Sequence, residues 1–229
     1  MRAIYYPELS PNIDLLVVEN DKFHHLIHVC RFKIQDKILL LTGHGEQFES
    51  TIIEVNKKNA VLKIHHHQSI QKEQIKRRAL IAIPKKEALE SMLRSSTEMG
   101  VEEIYLIRSD FSVESLPSEE RILKVVIPAL EQSNNAWLPQ IHFIKSWNDF
   151  NNWGENCYVL HSGNLKTNLK SDELSGFTVF VGPEGGWSER EINLFNDKKC
   201  HFIKFKTPIM RAPTALIYGM GYLSRSLIS

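Results

Sequence analysis

A change of hydrophobic period near residue 72 constrains this chain more than any other feature of its 229 residues. Before that point apolar residues gather in short runs closed by turn residues. Residues 37–42 (KILLLT) end on Gly43-His44-Gly45, residues 47–55 end on Asn56-Lys57-Lys58-Asn59, and residues 60–65 follow. These runs predict strands, and several strands with close turns predict a small β-barrel. Residues 24–32 interrupt them with Leu26, Ile27 and Cys30 at helical spacing, which predicts a short helix.

Beyond the charged stretch 71–78 the pattern alternates between buried strands and amphipathic helices. Strands are predicted over 79–83, 104–107, 157–160, 177–181 and 201–205. Helices are predicted over 86–99, with Leu89, Met92 and Leu93 inward, and over 118–132, with Pro128 a kink or break. Two further helices start at Ser188 and near Pro213, and Gly100 sits where a helix C-terminal cap belongs. Alternation of this kind predicts an α/β domain with a largely parallel sheet. The expected division is therefore residues 1–71 and residues 72–229.

Composition excludes several classes. Apolar residues at 42% and charged residues at 24% are ordinary for a globular protein and too apolar for a disordered one. No apolar run approaches the roughly 18 residues of a membrane span, and the start lacks a signal-peptide core. A soluble, cytoplasmic protein is expected. The 3 cysteines, Cys30, Cys157 and Cys200, form no CxxC and cannot all pair, so neither a disulfide framework nor a cysteine-built zinc site is expected. His65-His66-His67 would point to alternate faces of a strand, and no third ligand joins His24 and His28. No metal is expected. Net charge is +1, although Lys72, Lys76, Arg77, Arg78, Lys85, Lys86 and Arg94 form a local basic stretch. It reads as a solvated linker with exposed helix ends or as an RNA-contacting patch.

Two strand-to-helix junctions carry the chemistry. In FTVFVGPEGGWSERE a strand enters Gly182-Pro183-Glu184-Gly185-Gly186, and Ser188 with Glu191 has the spacing of a capping box. In an α/β sheet such a junction lies at the carboxyl end of a strand, where ligands bind. The loop fits neither GxxxxGK[ST] nor GxGxxG, so a phosphate cradle is not supported. On residues alone, a structural glycine turn and a ligand loop stand level. In FIKFKTPIMRAPTALIYGMGYLS a strand again enters a loop, and Pro213 suits the first turn of the helix that follows. Arg211 reads either as a surface arginine or as a donor to an anionic or carbonyl-bearing ligand. Gly219 and Gly221 fall inside this helix, where each costs about 1 kcal/mol relative to alanine, so close packing against another helix, in the same chain or a partner chain, is expected there.

Taken in order, VGPEGGWSEREI (181–192), IMRAPTA (209–215), STEMGVEEI (96–104), LEQSNNAWLPQI (130–141) and residues 25–32 with Asp36 resemble the ribosomal RNA small-subunit methyltransferase E family. That family belongs to the SPOUT methyltransferases. The resemblance covers nearly the whole chain. It implies a PUA-like β-barrel for RNA binding over 1–71 and a trefoil-knotted α/β methyltransferase domain over 72–229. It further implies a homodimer, S-adenosylmethionine as cofactor, and methylation of N3 of a uridine in 16S rRNA within the small ribosomal subunit. Carried over residue by residue, the cofactor would lie against Leu160, His161, Val181, Gly182, Pro183, Glu184, Gly185, Gly186, Ile209, Met210, Arg211, Thr214 and Ala215. The chain departs from the family pattern at Ser95, Phe111, Asn135, Lys206, Ala212 and Pro213.

N3 of uridine carries a proton and is a weak nucleophile until that proton leaves, so a base or a cation stabilising the uracil anion is required. Arg211 is the expected catalytic residue, orienting the uracil and stabilising its developing charge. Glu184 is either a proton acceptor or a hydrogen-bond acceptor that fixes its own loop. Two rivals remain at this stage: a methyltransferase for another RNA position, and a non-catalytic RNA-binding or ribosome-assembly protein.

Overall fold

A computed structural model describes residues 1–154, 156–163 and 176–225. The chain divides into two compact units, Met1–Lys72 with Ile127–Leu138, and Glu73–Val126 with Pro139–Ser229.

The first unit is a 5-stranded mixed sheet in the order β1-β3-β4-β5-β2. Its strands are β1 (Arg2–Tyr5), β2 (Leu15–Glu19), β3 (Lys37–Leu41), β4 (Glu46–Val55) and β5 (Asn59–Ser69). β1 runs parallel to β3, and every other pairing is antiparallel. The inward residues Leu16, Val18, Ile38, Leu40, Phe48, Ile52, Ala60 and Leu62 form the core. The helical segment foreseen at 24–32 starts earlier, as α1 (Asn20–His24), and continues as a π-helical turn over His25–Val29. A register shift between Glu49 and Ser50 disturbs the partner strand opposite the histidine triplet. Its side chains part company there: His65 bonds Thr51, while His67 stacks on Phe48 and pairs with Glu46.

The second unit is a 6-stranded parallel sheet in the order β11-β9-β10-β6-β7-β8. These strands are β6 (Lys76–Ala82), β7 (Glu103–Ile107), β8 (Gln140–Ile144), β9 (Cys157–Leu160), β10 (Gly176–Val181) and β11 (His201–Ile203). The helices are α2 (Lys86–Glu98), α3 (Glu119–Ser133), α4 (Glu189–Asp197) and α5 (Ala212–Leu223). β9, β10 and the buried second half of β6 (residues 79–82) read as near-continuous apolar runs because both faces of a parallel sheet are covered. Phe150, Phe180, Trp187, Phe195 and Phe202 pack together as one aromatic cluster. Gly100, at φ +67°, closes α2 as anticipated. Val101 N donates to Ser96 O and Gly100 N to Thr97 O, the paired bonds of a Schellman cap. Pro128 lies inside α3 without ending it. Among the described residues no helix is long and apolar enough to cross a membrane.

α5 packs against α2, as the helix-packing expectation has it, but Gly219 itself faces the sheet. A Cβ there would lie 3.0 Å from Leu160 Cδ1 and 3.5 Å from Val179 Cγ1, so the glycine admits the chain's own β9 and β10 rather than a second helix. Gly221 is exposed, with no atom within 4 Å of such a Cβ.

Candidate functional site

A cavity of about 580 Å³ opens where β9, β10 and β11 end and α5 begins. That volume falls within the roughly 300–1,000 Å³ of small-molecule sites, and the carboxyl ends of parallel strands are where such sites form. Leu160 and His161 come from the end of β9 and Val181 to Trp187 from the end of β10. Ile203 to Phe205 and Thr207 to Ala212, with Ala215, come from the end of β11 and the start of α5. The structure thus gathers every residue carried over from the sequence except Thr214, which is exposed in the first turn of α5.

The loop of β10 is held by its own backbone and by two outside partners. Gly186, at φ +74°, lets its N–H return to Pro183 O at 2.9 Å. Gly182 sits so close to this turn that a Cβ would meet Gly186 C, Cα and O at 3.1–3.2 Å. Trp187, buried, donates Nε1–H to Leu160 O at 3.2 Å and ties the loop to β9. His161 N donates to Ile203 O at 3.1 Å, fixing the end of β9 against β11. Glu184 Oε1 accepts from Lys85 N, the residue preceding α2, at 3.2 Å. This bond ties the glycine loop to the start of α2.

The capping box at Ser188 forms, with Ser188 Oγ accepting from Glu191 N and Glu191 Oε2 accepting from Ser188 N. Glu191 is 1% exposed, and its second oxygen accepts from Asp110 N at 3.1 Å. Asp110 in turn accepts from Ser188 Oγ at 2.6 Å and pairs with Arg190. These bonds hold the Asp110 carboxyl below the usual carboxylate range, the Arg190 contact counting first. They bring the segment after β7 to the glycine loop, where Phe111 Cβ would lie 3.0 Å from a Cβ on Gly185. Sequence reasoning missed Asp110 and Trp187 as site-building residues. Only the tryptophan sits inside a motif that could have flagged it.

Four ionisable side chains line the cavity: His161, Glu184, Lys204 and Arg211. Burial, with Lys204 second, pushes the His161 imidazole below its usual value, so it is neutral at neutral pH. Arg211 is exposed and precedes α5 in extended backbone, its carbonyl accepting from Ala215 N. Among the described residues its guanidinium has no hydrogen-bond or ion-pair partner. An unpaired cation at the mouth of an apolar cavity is available to a ligand. The basic stretch behaves differently. Arg77 donates to Met99 O and pairs with Glu73, and Arg78 pairs with Glu103, so both serve the fold. Lys76, Lys85, Lys86 and Arg94 remain exposed.

Comparison with known proteins agrees with this architecture. Residues 71–224 match the RNA methyltransferase domain family, and residues 18–64 match the RNA methyltransferase PUA domain family. Ribosomal RNA small subunit methyltransferase E 2 of Borreliella burgdorferi is 30% identical, over 99% of this chain and 98% of its own. Ribosomal RNA small subunit methyltransferase E of Bacillus subtilis is 24% identical over 90% of this chain and 88% of its own. In fold, the chain is similar to the Neisseria gonorrhoeae ribosomal RNA small subunit methyltransferase E bound to S-adenosyl methionine. There the TM-score is 0.85 and the identity 21%, over 99% of this chain and 98% of that one. A Legionella pneumophila methyltransferase solved with bound SAM gives a TM-score of 0.83 at 23% identity, over 98% and 97%. With a PUA domain, a parallel-sheet methyltransferase domain and a relative 30% identical along its whole length, the chain belongs to the ribosomal RNA small subunit methyltransferase E family.

Proposed function

We propose that this protein methylates N3 of a uridine in 16S rRNA with S-adenosylmethionine bound in the cavity at the ends of β9, β10 and β11. The observation that carries the reading is the convergence of the two glycine- and proline-marked loops, far apart in sequence, on that one cavity. Its walls suit the cofactor chemically. Leu160, Val181, Ile203 and Phe205 offer apolar surface, and the backbone of residues 182–186 comes close because glycine leaves room. When bound, the cofactor supplies an electrophilic methyl that needs little activation, so the chain's task is alignment and exclusion of water. Neutral His161 adds no repulsion toward a cationic sulfonium. Arg211 orients the uracil and stabilises the negative charge left when the N3 proton departs, as an unpaired cation placed where charge develops. Glu184 is committed to Lys85 N and stays a loop-fixing residue.

The unit of Met1–Lys72 with Ile127–Leu138 recognises RNA, and the unit of Glu73–Val126 with Pro139–Ser229 holds the cofactor, in keeping with the PUA description of 18–64 and the placement of the whole cavity in the second unit. The second domain is a trefoil-knotted SPOUT fold. The return of α5 from β11, an edge strand, to pack on α2 and β10 supports that threading. The active form is a cytoplasmic homodimer joined through the second domain, with exposed Ile217 and Tyr218 of α5 as its apolar surface.

Mass mapping of 16S rRNA from a deletion strain should show one missing uridine methyl group, restored by the wild-type gene but not by Arg211→Ala. Loss of a different mark, or of none, would overturn the assignment. Calorimetry on the purified protein should show S-adenosylmethionine binding that Arg211→Ala leaves within a few-fold.

A further inference from the structure

A second cavity, of about 420 Å³, opens at the carboxyl ends of β7 and β8. Arg108 continues β7, Lys145 continues β8, and Arg190 reaches in from the first turn of α4, with Trp147 as an aromatic wall. The acidic groups nearby are already engaged. Glu191 accepts from two backbone amides, Asp110 holds Arg190, and Asp149 accepts from the backbone and hydroxyl of Ser146. Arg108 and Lys145 are exposed and, among the described residues, have no partner. Two free cations in one concave site, with every neighbouring carboxylate occupied, form a receptor for an anion.

Position identifies the anion's source. The two cavities belong to one parallel sheet and open at the same ends of its strands. One segment also serves both: residues 182–187 line the first cavity, while Arg190, Glu191 and Leu194 line the second. In the sheet order, β7 and β8 stand two and three strands from β10, roughly 10–14 Å at the usual strand spacing. At about 3.4 Å per nucleotide this is three or four nucleotides of a strand. We infer that the second cavity is a phosphodiester subsite, in which Arg108 and Lys145 grip the RNA backbone a few nucleotides from the base presented to the cofactor. The inference rests on the proposed RNA methyltransferase activity and adds to it the path of the substrate strand.

The test is filter binding of a 16S rRNA transcript over about 50–200 mM salt. It compares wild type with the Arg108→Gln/Lys145→Gln double variant, and calorimetry with S-adenosylmethionine is run on both. Two lost contacts at about 0.7 each should make the salt slope shallower by roughly 1.4 and weaken binding about 25-fold near 0.1 M salt. KM for RNA should rise with kcat unchanged at saturation, and cofactor affinity should not move. The charge-keeping variant Arg108→Lys/Lys145→Arg should recover the slope. An unchanged slope, or a loss of cofactor binding in step with RNA binding, would overturn the subsite. Failure of the activity reading itself would show separately, as wild-type protein that transfers no methyl group.

Discussion

Gly182→Ala tests whether the glycine loop is shaped for a ligand or merely turns the chain. The added Cβ would lie 3.1 Å from Gly186 C and 3.2 Å from Gly186 Cα and O. Ordinary carbon contacts are about 3.5–4.0 Å, and the atoms met are backbone rather than the end of a flexible side chain. Relief therefore requires the turn closed by Gly186 N and Pro183 O to open or shift. Overpacking of this kind costs about 1–3 kcal/mol. If that cost falls on the shape of the cavity wall, cofactor affinity drops roughly 5- to 150-fold, since about 1.4 kcal/mol is a factor of ten. Calorimetric titration of S-adenosylmethionine into wild type and variant measures this directly, and the thermal midpoint of each reports whether the domain is intact. Gly186→Ala is the companion. Its Cβ meets nothing within 4 Å, but φ +74° costs an L-residue about 1–2 kcal/mol, so its effect is strain without a clash. A Gly182→Ala protein that binds the cofactor within twofold of wild type would refute the reasoning, because the clash would then be absorbed without disturbing the site.

Gly219→Val should destabilise the second domain by about 1–3 kcal/mol, because its extra methyl groups press on Leu160 and Val179. Urea denaturation measures the loss, and an unchanged midpoint would show that α5 packs more loosely on β9 and β10 than the distances indicate. His161, whose imidazole is depressed first by burial and then by Lys204, makes the folded protein bind fewer protons than the unfolded chain below the ordinary histidine value of about 6.5. Its contribution to stability is complete above that value and is lost as pH falls through the depressed one. The thermal midpoint should accordingly hold steady from about pH 8 to about pH 6.5 and decline below. His161→Gln should flatten that part of the profile, and a decline of equal size in the variant would assign it to other groups.

The second domain was legible because its signals are local. Near-continuous apolar runs mark β9, β10 and the second half of β6, the Ser188–Glu191 spacing marks the start of α4, and Gly100 marks the end of α2. What the sequence concealed is set by distant parts of the chain. β1 is short and carries a single buried residue, Ala3, so its pairing with β3 left no periodic trace. β8 (QIHFI) buries only Ile144, so its pattern does not mark a core strand. The division of the chain was concealed most of all. Ile127–Leu138 belongs with the first unit because Leu130 packs with Ala3 and Leu41, Glu131 accepts from Tyr5 N, and Trp137 donates to Ile70 O. A chain cut near residue 70 would strip those partners away, so the recognition role of the first unit is better tested in the full-length protein.

The same distinction explains which site residues could be foreseen. Glycine and proline announce themselves because the backbone they permit is written into their own chemistry, and residues 182–186 and 208–213 were found on that basis. Asp110 and Glu191 have no such mark. Their importance comes from filling each other's hydrogen-bond vacancies across the gap between β7 and α4, and only folding brings those vacancies together. Arg78 shows the converse. It stands in a basic run that looked available to RNA, yet Glu103 of the neighbouring strand takes its charge. Arg211 has the same charge and no such partner. A cation's sequence neighbours do not report whether its charge is spent, and that difference separates a residue that holds the sheet from one left for substrate.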